Sequence, residues 1–64
     1  MKLIKLRDVM ALTSLARATV YKYISEGRFP KQVNLGGNCV AWVEAEIMEW
    51  IEQRIAARDL SNEV

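Results

Sequence analysis

The chain has 64 residues, of which 52% are hydrophobic and 27% charged, a balance that belongs to a globular protein rather than a disordered tail. A domain this small buries only about 60% of the surface its unfolded form exposes, so its stability is marginal and its function must fit on three or four elements. With no histidine and one cysteine, it lacks the commonest general base and cannot form an internal disulfide or a Cys/His zinc cluster. The longest apolar run, Cys39 to Val43, is far shorter than the ~18 residues of a membrane span, and no long apolar segment follows Lys2 and Lys5 to make a secretory signal. These features point to a reduced, cytoplasmic binding module of one domain, residues 1–64, with no catalytic residue, no metal and no cofactor.

In chain order, apolar residues at 6, 9, 10 and 12 predict a short helix from Leu6 to Leu12, with Ile4 and Leu6 leading into it. Thr13-Ser14 breaks it, because small hydroxyl side chains compete for backbone hydrogen bonds. A second helix runs from Ala16 to about Glu26, with Val20 and Ile24 on one face and Leu15 entering beneath them. Gly27 takes the left-handed cap and Pro30 prevents continuation.

The period then changes. Val33 and Leu35 alternate with Gln32 and Asn34, Gly36-Gly37-Asn38 supplies turn chemistry, and Cys39-Val40-Ala41-Trp42-Val43 is partly β-branched. That pattern predicts a β-hairpin with glycines at positive φ. From Glu44 to about Arg58 the chain reads as an amphipathic helix with Ile47, Trp50, Ile51 and Ile55 as its apolar stripe. Its first-turn acids and late Arg54 and Arg58 suit the helix dipole. Residues 59–64 are expected to fray.

The near-neutral total conceals a division. Residues 1–43 hold Lys2, Lys5, Arg7, Arg17, Lys22, Arg28 and Lys31 against Asp8 and Glu26. Residues 44–64 hold Arg54 and Arg58 against Glu44, Glu46, Glu49, Glu52, Asp59 and Glu63. A basic front and an acidic back fit either a polyanion surface on one side or two solvated helix faces.

Two helices joined by a short turn make a helix-turn-helix, whose second helix enters the major groove of DNA. With Val20 and Ile24 inward, Arg17, Ala18, Tyr21, Lys22 and Ser25 share the outward side. Arg17 is suited to guanine or to a phosphate, and Lys22 to a phosphate. Tyr21 serves either as a DNA contact or as half-buried packing. Ser14 and Thr19 flank the helix N-terminus, where hydroxyls and free N–H groups favour a phosphate, although Thr19 is equally suited to capping. A hairpin after the helix-turn-helix makes an α+β winged helix, with Gly37 and Asn38 at the wing tip and Lys31 near its base. Trp42, Trp50 and Phe29 read as core, Cys39 as a small buried hydrophobe, and the four glutamates as a solvated face rather than a metal site.

Leu15-Ala16-Arg17-Ala18-Thr19-Val20-Tyr21-Lys22, Glu26-Gly27-Arg28-Phe29-Pro30, Leu35-Gly36-Gly37, Trp42 and Glu46-Ile47-Met48-Glu49-Trp50-Ile51 together resemble the AlpA family over roughly residues 3–56. These are small phage and prophage DNA-binding proteins related to excisionases and, more distantly, to MerR-type winged helices. The resemblance implies a regulator of mobile-element genes, an excisionase that bends attachment-site DNA, or both. It adds Arg28 to the implied DNA-facing set. The chain departs from the family pattern at Ala16 (usually Ser, leaving Ser14 as the alternative cap), at Asn38 (commonly basic) and at Ala41 (often polar or basic). The implied partners are double-stranded DNA at promoter or attachment-site repeats, several copies side by side, and an integrase or recombinase. A different class of function stays open, in which the acidic last helix docks on and redirects a recombinase or regulator.

Overall fold

The apolar run from Cys39 to Val43 needs a hydrogen-bonding neighbour on each edge and a cover on its face. In the computed structural model, which describes residues 1–61, it has both. The elements are β1 (Leu3–Ile4), α1 (Leu6–Thr13), α2 (Arg17–Ser25), β2 (Val33–Gly36), β3 (Cys39–Val43) and α3 (Glu44–Ser61). The three strands form one antiparallel sheet in the order β1-β3-β2. Three helices on a small antiparallel sheet make an α+β fold compatible with a winged helix-turn-helix.

The register is set by side chains that must face the helices. Ile4 lies opposite Trp42 and Leu3 opposite Val43, while Val33 lies opposite Ala41 and Asn34 opposite Val40. Leu35 is then skipped, so that Gly36 faces Cys39 across a bulge. The Asn34 carboxamide oxygen accepts the Gly36 N–H at 2.9 Å, and Gly36 and Gly37 adopt φ of 108° and 56°. The glycine-rich turn therefore serves the purpose its composition predicts.

Ile4, Val9, Val20, Phe29, Trp42 and Ile47 form the buried core, one or more residues from nearly every element. Leu15, Ile24, Trp50 and Ile51 pack around it. Val20 and Ile24 do face inward, as their spacing predicts, and Phe29 is the plug beneath the turn that follows α2. The end of α2 is a Schellman cap: Gly27 at φ 72° lets its own N–H reach the Ile24 carbonyl at 3.1 Å and the Arg28 N–H reach Tyr23 at 2.8 Å.

Several expectations are corrected. Ile4, expected with Leu6 to lead into the first helix, instead forms a strand with Leu3 while Leu6 opens α1, and the Glu44 N–H closes the same edge on the Lys2 carbonyl at 2.8 Å. Ser14 does not cap α2. It ends α1 in the left-handed conformation (φ 61°), its N–H bonded to the Met10 carbonyl at 2.8 Å. Ala16 holds the cap position with extended backbone and no side-chain bond. Cys39 is exposed rather than buried, because β3 begins at the hairpin tip, beyond the reach of the core. Its Sγ accepts from Lys5 Nζ at 2.9 Å.

The last helix also differs from its reading. It continues through residues 59–61 instead of fraying there, and residues 62–64, where fraying is also expected, lie outside the described part of the chain. Ile47 is fully buried, but Ile55, on the same predicted stripe, is 45% exposed and lines only an open depression with Leu12 and Thr13 of α1. No helix among the described residues is long and apolar enough to cross a membrane.

Trp42 is wholly buried, with the Tyr21 ring edge-on at 6.4 Å, yet its indole Nε1 has no hydrogen-bond partner among the described residues. Trp42→Ala should cost about 3–5 kcal/mol, comparable with the whole stability of a chain this size, about 3–10 kcal/mol. Trp42→Phe should cost clearly less, since it removes the orphaned donor along with part of the ring. Urea denaturation followed by far-UV circular dichroism separates the two. By the same measurement Ala16→Ser should stabilise the fold by about 1 kcal/mol, because the backbone at 16 already has the geometry of a cap.

Candidate nucleic-acid interface

The outward side of α2 is built by two constraints. Val20 and Ile24 are drawn to the core, and the left-handed Ser14 turns the chain sharply enough to bring α2 across α1. What remains outside is Arg17, Ala18, Lys22 and Ser25, all exposed. Arg17 and Lys22 have neither an ion pair nor a side-chain hydrogen bond among the described residues, so both cations are presented to solvent without an internal neutraliser. Ala18 between them keeps the surface low, which allows a close approach to a flat partner. Ser25 turns its hydroxyl back to donate to the Lys22 carbonyl at 2.7 Å.

Tyr21 is half-buried, its ring edge-on to Trp42 at 6.4 Å with the rest of it outward. Thr19 is likewise half-buried near the start of the helix, and Ser14 is exposed in the turn before it. Because Ala16 offers no side-chain acceptor, the first backbone N–H groups of α2 remain uncapped next to Arg17.

Beyond α2 the structure distributes the other candidates over two places. Arg28 stays on the surface but is engaged locally, its guanidinium 3.1 Å from Glu26 and 4.7 Å from the centre of the Tyr23 ring. Lys31 is exposed at the base of the hairpin, and Gly37 and Asn38 are exposed at its tip. The ion pairs here are exposed and contribute little to stability.

Sequence reasoning missed two contributors. Tyr23 carries the Arg28 guanidinium on one side and meets Trp50 at 6.4 Å on the other. Trp50 in turn stacks edge-on against Phe29 at 4.8 Å and donates its indole N–H to the Arg28 carbonyl at 2.7 Å. This cluster fixes the end of α2 on α3. An aromatic residue a few positions before the capping glycine is a faint signal for it. The second is Lys5, which in the sequence reads only as charge. Its ammonium reaches Cys39 and lies 3.4 Å from the Val40 carbonyl, which puts a cation on the flank of the hairpin. Among the described residues there is no group of three or more acidic, cysteine or histidine side chains able to hold a metal.

The chemistry offered is therefore that of a polyanion surface: free cations on a low helix face, open N–H groups at its start, and a hairpin beside it. Comparison with known proteins agrees with that character. A family described as prophage CP4-57 regulatory protein (AlpA) matches residues 2–55. An uncharacterised protein of enterobacteria phage P4, ORF88, is 44% identical over 57 residues, which cover 89% of this chain and 65% of the phage protein. The chain thus spans just under two thirds of that relative's length. A DNA-binding transcriptional activator of Escherichia coli K12, AlpA, is 39% identical over 59 residues, covering 83% of this chain and 84% of the relative. With a match across nearly its whole length, the chain belongs to the AlpA family of prophage regulatory proteins.

Proposed function

We propose that this chain is a sequence-specific double-stranded DNA-binding protein of a prophage or mobile element and acts in the cytoplasm as a regulator of transcription. The observation that carries the reading is the outward face of α2, where Arg17 and Lys22, on either side of Ala18, have no ion pair among the described residues. The relative named as a DNA-binding transcriptional activator supports it. In this reading α2 enters the major groove. Arg17 forks onto guanine or clamps a phosphate, and Lys22 meets a phosphate. Ser14, Thr19 and the open N–H groups around Ala16 receive a second phosphate at the helix N-terminus.

Ser25 and the outer edge of Tyr21 complete the α2 contact, with Tyr21 mainly holding the helix against Trp42. Arg28 and Lys31 lie on the flanks towards the backbone. The hairpin tip, Gly37 and Asn38, approaches the neighbouring sugar-phosphate chain as a wing. Asn38 brings a hydrogen-bonding amide there rather than a charge, so the wing adds little to the salt dependence.

An interface of this size neutralises few phosphates, about 3–5, and one copy then binds weakly at physiological salt. Useful occupancy therefore comes from several copies on adjoining repeats at a promoter or at an element boundary. Bound at attachment-site repeats, such an array would bend DNA as an excisionase does, with an integrase or recombinase as the neighbouring protein.

The test is a gel-shift titration on duplexes tiled across the protein's own locus and the ends of the linked element, at several salt concentrations. Discrete shifts on a few fragments are expected, at a promoter for a regulator or at an attachment site for an excisionase. Arg17→Ala/Lys22→Ala should abolish them on all but the lowest-salt gels. Removing one phosphate contact lowers the salt slope by about 0.9, so a drop near two assigns both cations to phosphate, whereas a drop near one with relaxed sequence preference assigns Arg17 to a base. Binding no tighter than to mixed-sequence DNA at every salt concentration would refute the proposal.

A further inference from the structure

Helix α3 outruns the domain that supports it. Ile51 is the last of its residues to pack against the core, and from 52 to 61 no side chain is buried. At 1.5 Å per residue that is about 15 Å of helix without a buried side chain, although Arg54, Ile55 and Arg58 border an open depression with Leu12 and Thr13 of α1, and the molecule is correspondingly long, 49 Å against 24 and 19 Å. Free helix of that length has little stability of its own, since helices shorter than about 12–15 residues are marginal in water without a packed face.

The free part is not uniformly polar. Arg54, Ala57, Arg58 and Ser61, at i, i+3, i+4 and i+7, share one face, while Asp59 and Leu60 fall outside it. The arm therefore presents two arginines around a small residue. Arg58 is braced by Asp59 at 2.8 Å, and Arg54 has no ion pair among the described residues.

The other half of the same helix carries the opposite charge next to a groove. Between β2, the loop before it and the first turns of α3 lies an open depression of about 540 Å³. Val33, Val43 and Trp50 give it an apolar floor, Glu46 and Glu49 of α3 its acidic groups, and Lys31 also lines it. Val33 is 37% exposed, so the floor is uncovered in the single chain. Strand β2, which gives Val33 to the depression, is an edge strand and is exposed throughout.

We propose that the occupant of this groove is the α3 arm of a second copy of the chain. The arm places the Arg54 and Arg58 guanidinium groups on the Glu46 and Glu49 carboxylates, with their methylene stems over Val33 and the Trp50 ring. Arm and groove are different surfaces of one molecule, so the contact is head-to-tail: each copy gives an arm to one neighbour and takes one from the other. Such a contact builds a row rather than a closed dimer. The use of the row on DNA rests on the side-by-side occupancy proposed above, but its formation does not.

The test exploits the charge pairing. Arg54→Glu/Arg58→Glu makes the arm acidic, and Glu46→Arg/Glu49→Arg makes the groove basic. All four sites are exposed, and unchanged far-UV circular dichroism verifies that both variants fold. Sedimentation equilibrium of the full chain without DNA, at low salt and up to about 1 mM, spans the effective concentration at which neighbours on one duplex would meet. The wild type should show a mass that climbs with concentration and does not level at the dimer. Each variant alone should associate more weakly by at least about tenfold. An equimolar mixture of the two should recover association, because an acidic arm then meets a basic groove and the remaining wild-type arm meets a wild-type groove.

A monomeric mass throughout, a closed dimer, or association that neither variant weakens would overturn the inference. So would a groove that takes up only a basic peptide from another protein while copies of the chain ignore it. Gel shifts on one-site and two-site duplexes keep the two proposals apart: charge reversal should remove cooperativity on two sites and leave single-site affinity in place. Failure of the wild type to bind a single site would count against DNA recognition alone.

Discussion

Almost every element of this small fold gives a residue to the one core that holds the indole of Trp42. It sits in the middle strand, opposite Ile4 of β1, with Tyr21 of α2 edge-on and Val9 and Ile47 in the same core. In a chain with so little interior, a single large ring in the central strand does what several aliphatic residues do in a larger domain. The orientation of α2 follows from it, because Tyr21 can only rest on Trp42 if Val20 and Ile24 turn inward. Arg17, Ala18 and Lys22 are left outside by that choice. The site is thus a by-product of how the core is closed, and the orphaned indole N–H is a cost carried at its centre.

The second fixture is the aromatic cluster at the end of α2. Gly27 reverses the chain, Phe29 drops into the core, and Trp50 bonds to the backbone at Arg28 while meeting Phe29 and Tyr23. Helix α2 is therefore pinned at its C-terminal end to α3 and along its middle to β3. The holding residues Val20, Ile24 and Tyr23 lie on other faces than the exposed Arg17, Ala18 and Lys22, which therefore stand on a fixed support. Fold class alone assigns no role; the kinship to prophage regulatory proteins narrows it, and the reading of α2 is the proposal made above.

Much of this was legible in the sequence wherever a local rule decides the outcome. Gly27 and Pro30 mark the end of α2 because only a left-handed residue followed by a helix breaker satisfies the backbone there. Gly36-Gly37 marks the hairpin for the same kind of reason. The inward pair Val20 and Ile24 follows from helical spacing. What escaped depends on tertiary neighbours. A two-residue strand such as Leu3–Ile4 has no periodicity to detect and exists only because β3 has an unpaired edge. Cys39 and Ile55 look as apolar as Ala41 and Ile47, but one lies at a hairpin tip and the other over an open depression at the rim of the body. Ser14 is a serine in a glycine's conformation, imposed by the crossing of α1 and α2.

Strand β3 passes into α3 with no intervening loop, Val43 closing one element and Glu44 opening the next. That junction has a mechanical meaning. Hairpin and helix form a continuous lever whose fulcrum is the sheet edge tied by Lys2 and Glu44. A tilt of about 10° imposed at the hairpin would sweep the far end of α3, about 27 Å away along the helix, through about 5 Å. Whatever tilts the hairpin therefore also aims the opposite end of the molecule, without any change of fold.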